Sequence, residues 1–338
     1  MSVRVATFAM LAGPHLAGAL LLVAYGLPND EPPPAPKTTT TAAHVLAARR
    51  VEPHPQMPAE LPKTNKPART LLMHLEHGEP TPDNRPNTWV HIPATRDRSS
   101  DLRVMFLFHG FKNCIESYTS AGIICDQSHN VVRPGYQIAA QLERAGSKSI
   151  VVIPETSFDV MSSEAPELSG HGGFRKYVDE VLDAIADETG GAKLADVSRL
   201  ALAASSGGYQ ALEPILDDNT GIVTDVILMD AAYMFPKSAV GRYLRVAATE
   251  LAAGAVQHRI GILYTRSGGA LPMTEELMHL TQHVLDSSGA LDRASFKRYE
   301  GDPRAEDMTG PLYIHYVHED HDVVVRRNLG KVIAAAGL

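Results

Sequence analysis

Three residue types that together can carry out acyl transfer stand far apart in this chain, in the order serine, aspartate, histidine. The serine is offered twice, within LALAASSGGYQAL at 200–212. Ser206 lies between Ala204 and Gly208, and Ser205 lies between Ala203 and Gly207. Small residues two positions either side of a serine suit a sharp strand-to-helix turn, because larger side chains there would collide. Both serines have that form. Ser206 is preferred on two grounds. The strand RLALAA keeps its full length before the turn, and the next residue, Gly207, can bring its backbone N–H close to a developing oxyanion. By itself the stretch is equally a glycine-rich packing turn.

The elements that must position these residues follow from periodicity. RTLLMHLEHG (69–78) and NTWVHIPA (87–94) alternate apolar and polar positions and read as an antiparallel pair at a sheet edge. LRVMFLFHG (102–110), SIVVIPE (149–155), RLALAAS (199–205), VTDVILMD (223–230), RIGILYT (259–265) and LYIHYVH (312–318) are apolar runs suited to strands covered on both faces. Helical spacing is present at 136–146, 174–191, 208–218, around 238–255 and 273–285, and from Asp322 to the end. The alternation predicts a single α/β domain with a mostly parallel sheet of about eight strands and helices on both faces. In such sheets function collects beyond the carboxyl ends of the strands. The residues at those ends are His109-Gly110, Glu155, Ser206, Asp230, Arg266-Ser267, and finally His318 and His321.

The small-x-Ser-x-small turn, the His109-Gly110-Phe111 loop and the chain order Ser206, Asp230, His321 resemble the α/β-hydrolase superfamily over roughly residues 67–338. SSGGY with LMDAAY downstream also resembles a bacterial group with His-Ser-Gly-Gly-Tyr and Asp-Ala-Leu-Tyr segments. Here Ser205 replaces the usual histidine and Ala204 the usual first glycine. The resemblance implies a Ser-His-acid hydrolase with an acyl-enzyme and no cofactor. It implies that His321, in the loop after the last strand, is the base, and that His318 is a strand end. It implies that Phe111 and Gly207 N–H groups form the oxyanion hole, while the His109 side chain ties down the loop. Asp230 is the expected acid. An aspartate closing an apolar strand is costly to bury unless it is hydrogen-bonded, as it would be when holding an imidazole. Asp302 and Glu276 are lesser candidates, and Glu155 lines the pocket near the oxyanion loop. The segment 157–173 follows a strand end and borders the pocket. The fold cannot name a substrate.

Other chemistries are poorly served. His315, His318 and His321 recur every three residues, but on a strand His315 and His318 face opposite ways, so no metal site is expected. His279 and His283 have helical spacing without a nearby third ligand. Among 338 residues, 21% are charged and the net charge is -8, without a basic stripe, which argues against a nucleic-acid partner. There is no repeat of fixed period.

Residues 1–27 combine one early arginine, an apolar run and Ala24-Tyr25-Gly26, which reads as a signal peptide or membrane anchor. Residues 28–66 are rich in proline and threonine and read as a disordered linker. An exported protein is expected, periplasmic, secreted or anchored by its first segment. In such a compartment the two cysteines, Cys114 and Cys125, can pair. The expected partner is a small-molecule or polymer-derived ester. The alternative is a non-catalytic envelope binding or scaffold protein of the same fold, motivated by the altered turn and the long linker.

Overall fold

Residue order converts to a layered α/β architecture in the computed structural model, which describes residues 67–338 apart from 83–84, 97–100, 112, 120–122, 125–131, 134, 158–161, 268 and 299–302. These fall within one unit, Gln56–Leu338. The segments 1–27 and 28–66, and residues Cys125 and Asp302, lie outside the described residues.

The chain begins with β1 (Arg69–Met73), β2 (Thr88–Ile92) and β3 (Leu102–Phe108), followed by the short α1 (Ile115–Thr119). A two-residue ribbon, β4 (Ile123–Ile124) and β5 (Val132–Arg133), precedes α2 (Ile138–Ala145) and β6 (Ile150–Pro154). Then come α3 (Pro166–Ser169), α4 (Gly173–Ala184), α5 (Ala186–Thr189), β7 (Val197–Ser205) and α6 (Tyr209–Asn219). The last part holds β8 (Asp225–Met229), α7 (Ala239–Ala252), β9 (Arg259–Tyr264), α8 (Leu271–Ser287), β10 (Ser295–Arg298), β11 (Leu312–Tyr316) and α9 (Val324–Ala336).

The main sheet has nine strands in the order β1-β2-β6-β3-β7-β8-β9-β11-β10. β1 and β2 are antiparallel at one edge, as the alternating pattern predicted, and the strands from β6 to β10 are mutually parallel. The sheet is one strand larger than the eight expected. The addition is β10, whose SFKR has half its positions charged and so lacks the apolar run of a doubly covered strand.

The apolar runs are buried on both faces. Along β3, Val104, Phe106 and Phe108 join one core, and Met105 and Leu107 join the other. Helices α4, α6, α7 and α8 cover the first face, and α1, α2 and α9 cover the second. The helix expected over 174–191 is interrupted at Ile185, because apolar spacing ends there. The following ADET of α5 buries no residue. The last strand, expected to reach His318, ends at Tyr316. Among the described residues no helix is long and apolar enough to cross a membrane.

Candidate active site

The parallel strands β7, β8, β9 and β11 are neighbours, so their carboxyl ends deliver four loops to one place. Ser205 closes β7 in ordinary extended backbone, φ -117° and ψ 130°. Ser206 then turns to φ 52°, and a single 3-10 turn, Ser206–Gly208, runs into α6. A left-handed serine costs on the order of 1–3 kcal/mol and is held only by its surroundings. The turn is tight against β3. A Cβ on Gly208 would lie 2.3 Å from the Phe108 carbonyl oxygen, and one on Gly110 would lie 2.7 Å from Ser206 Cβ. The chain therefore needs glycine at both places, and the two serines become distinct. Ser205 is buried in the strand, while Ser206 is lifted to the partly exposed end of the sheet.

Asp230 directly follows β8 and is also left-handed, at φ 48°. It is fully buried, and its carboxylate is saturated with donors. Oδ1 accepts the Thr265 N–H at 2.9 Å, and Oδ2 accepts the Thr265 hydroxyl at 2.6 Å. Oδ2 also lies 2.6 Å from His321 Nδ1. The opposite ring nitrogen, His321 Nε2, lies 2.6 Å from Ser206 Oγ. One tautomer satisfies both contacts: Nδ1–H donates to Asp230, and Nε2 accepts from the serine hydroxyl. His321 begins a 3-10 turn ahead of α9, whose Val324 and Val325 are buried and anchor it. Its N–H donates to Ser267 Oγ at 2.9 Å. The acid is sealed, whereas the histidine side chain keeps 23% exposure.

Phe111 lies in the loop after β3, and its ring packs on Gly207. Among the described residues no acceptor meets the Phe111 N–H. Gly207 sits in the first turn of a helical segment, where backbone N–H groups have no partner within the helix. The loop is clamped at both ends by one buried carboxylate. Glu155 Oε1 lies 2.5 Å from His109 Nε2, and Glu155 Oε2 accepts the Ile115 N–H at 3.2 Å. Burial opposes a charged His109, but the Glu155 charge and hydrogen bond outweigh it and raise the His109 pKa. Cys114, within the same loop, is disulfide-bonded; the only other cysteine in the chain is Cys125.

The structure thus brings Ser206, Asp230 and His321 into one hydrogen-bonded chain, with Phe111 and Gly207 beside it. It does not bring His318 or Glu276 there. His318 is exposed and edge-on to Tyr316, and Glu276 is exposed on α8. His315 is buried in β11 against Tyr313, and among the described residues no three potential metal ligands converge. Thr265 and Ser267 hydrogen-bond Asp230 and the His321 backbone and carry no sequence motif. Their only signal is position, just beyond β9.

By sequence, no protein-family model matches the chain and no curated protein matches it. Solved structures do. The feruloyl esterase module from Clostridium thermocellum, a serine-to-alanine variant complexed with sinapinate, matches with a TM-score of 0.50 at 11% identity, over 81% of this chain and 90% of that one. A ferulic acid esterase matches with a TM-score of 0.45 at 12% identity, over 80% of this chain and 98% of that one. Fluorophosphonate-binding serine hydrolase F of Staphylococcus aureus, substrate bound, matches with a TM-score of 0.44 at 11% identity, over 81% and 100%. At 11% identity the likeness to the feruloyl esterase module speaks to architecture alone, and it agrees with the sheet order described above: the chain has the α/β-hydrolase fold.

Proposed function

We propose that the chain is a serine hydrolase that cleaves esters through an acyl-enzyme, with Ser206 as nucleophile, His321 as base and Asp230 as the orienting acid. The observation that carries this reading is the continuous contact Ser206 Oγ to His321 Nε2 and His321 Nδ1 to Asp230, each 2.6 Å. Ser206 Oγ attacks the ester carbonyl carbon while its proton passes to Nε2. The negative charge moves to the carbonyl oxygen, where the Phe111 and Gly207 N–H groups hydrogen-bond it. The carbon–oxygen bond to the alcohol breaks, and the alcohol leaves with the proton from Nε2. Water then repeats the sequence on the acyl-serine, its proton passing through Nε2 back to Ser206, and releases the acid. The Asp230 carboxylate holds the imidazolium through its contact with Nδ1. These steps need no cofactor.

The likeness to a feruloyl esterase module supports an ester as the substrate class of this reading. The geometry favours an enzyme over a non-catalytic binding protein, since a scaffold has no need of a strained Ser206 aligned on His321. The domain organisation in this reading is an export signal or anchor at 1–27, a linker at 28–66 and the hydrolase domain at 67–338. A disulfide-bonded Cys114 suits an oxidising compartment. The test is hydrolysis of a short-chain aryl ester by the purified chain. Turnover is expected from the protein and from Ser205→Ala, and none above background from Ser206→Ala. Equal turnover by Ser206→Ala overturns the reading.

A further inference from the structure

We infer that the Ser163 hydroxyl is a third hydrogen-bond donor to the oxyanion, supplied by the loop after β6. The inference rests on the proposed hydrolase reading and extends it to a residue outside the triad and the two backbone donors.

Ser163 is completely buried, and its Oγ has no hydrogen-bond partner. A buried hydroxyl left unpaired costs stability, so its persistence calls for a reason. Among the described residues, three other buried side-chain oxygens share this state: Ser149 Oγ, Asn219 Oδ1 and the Tyr313 hydroxyl. Ser149 just precedes β6, Asn219 ends α6, and Tyr313 is the second residue of β11. All three sit towards the amino ends of the parallel strands, away from Ser206. Ser163 alone lies at the carboxyl ends, beside the nucleophile turn.

Its placement is specific. Ser163 Oγ lies 3.0 Å from where a Cβ on Gly207 would be, the Phe111 ring lying 2.5 Å from the same point. The hydroxyl therefore lies against Gly207, on the side of that residue where the Phe111 ring also packs. A side chain at 207 would clash with the Phe111 ring and crowd this hydroxyl. The backbone around Ser163 is pinned. Its N–H donates to Gln210 Oε1 on the first turn of α6 at 2.8 Å. Ser157 N–H and Oγ both bind the Glu164 carbonyl, at 2.7 and 2.8 Å, closing the loop on itself. A hydroxyl rotates freely about its Cβ–Oγ bond, so its proton can turn toward an oxyanion drawn to Gly207 N–H. The unpaired state of the free protein is then preorganisation: the donor waits without a competing acceptor.

Ser163→Ala tests the inference against a structural role, because the two predict opposite changes. Steady-state hydrolysis of an aryl ester, affinity for an aryl boronic acid as tetrahedral mimic, and Tm are measured on Ser163→Ala, Ser206→Ala and the unaltered protein. For Ser163→Ala, kcat is expected to fall about 10- to 100-fold. KM should change little, boronate affinity should weaken several-fold, and Tm should be unchanged or higher. Unchanged kcat, or a fall in kcat accompanied by a fall in Tm, overturns the inference. Ser206→Ala keeps the two claims apart. If it abolishes turnover while Ser163→Ala does not affect it, the hydrolase reading stands and the third donor fails. If Ser206→Ala retains turnover, or the unaltered protein has none, both fail.

Discussion

Replacing Asp230 by asparagine changes one atom and is expected to reverse the histidine. The carboxylate accepts three hydrogen bonds: Thr265 N–H on Oδ1, and Thr265 Oγ1–H and His321 Nδ1–H on Oδ2. An amide must place its NH2 on one side. Facing the Thr265 backbone N–H it would set donor against donor in a fully buried position, at a cost of about 1–3 kcal/mol. Facing the other side it can donate to the Thr265 hydroxyl, which accepts as well as donates. It also donates to His321 Nδ1, provided that nitrogen carries no proton. The second arrangement is the cheaper one, and it moves the imidazole proton to Nε2. Ser206 then meets a donor instead of a base. The expected loss in kcat is about 10⁴-fold, roughly 5 kcal/mol of barrier. Stability should change little, since three polar contacts survive. The assay is kcat for an aryl ester between pH 6 and 9, with a thermal melt on the same samples. Normal turnover by Asp230→Asn would refute the reasoning and move the acid elsewhere. So would a melt showing that the variant is inactive only because it is unfolded.

Other outcomes follow from the packing and the buried charges. Gly208→Ala puts a methyl group 2.3 Å from the Phe108 carbonyl oxygen, so the end of β3 must shift. A melt should show a loss of about 1–3 kcal/mol, and kcat should fall with it because His109–Phe111 move too. Glu155→Gln removes the charge that His109 faces and weakens the clamp on both ends of the oxyanion loop. Breaking such a buried pair costs about 3–5 kcal/mol. Denaturant titration should show the loss, and kcat should fall more than KM changes. Burial pushes the Glu79 carboxyl up from 4.5 to about 7, against the Glu167 and Leu168 N–H groups that it binds. Its folded form therefore holds a proton that the unfolded form has lost. Stability from this group is greatest at low pH, falls as pH rises through that interval by at most about 3 kcal/mol, and levels off above it. Comparing melts of the unaltered protein and Glu79→Gln across pH 4.5–8 should show this slope only in the former.

Much of the fold was legible because a parallel sheet covered on both faces leaves long apolar runs such as VMFLF and IVVIP. β10 was not, since SFKR at a sheet edge has no such run. The proposed triad could be read from the chain for a geometric reason. Strand ends carry the chemistry, so Ser206, Asp230 and His321 could be read from their places in the strand order. Strand length and Gly207 favoured Ser206 over Ser205 in the sequence, and the backbone separates the two: both satisfy the small-residue rule, and Ser206 alone of the pair takes φ 52°. Supporting contacts were hidden by distance along the chain. Thr265 lies 35 positions from Asp230, Ser267 54 from His321, and Glu155 46 from His109. No periodicity links such pairs; strand adjacency does. Ser163 was invisible for a further reason, as an unpaired hydroxyl has no partner to reveal it.

The central claim is that Ser206, and not Ser205, is an activated nucleophile. Fluorophosphonate labelling with intact mass and peptide mapping tests it most directly. The account predicts one adduct per chain on Ser206, retained in Ser205→Ala and lost in Ser206→Ala. A folded protein that takes no label, or a label that persists in Ser206→Ala, would contradict it.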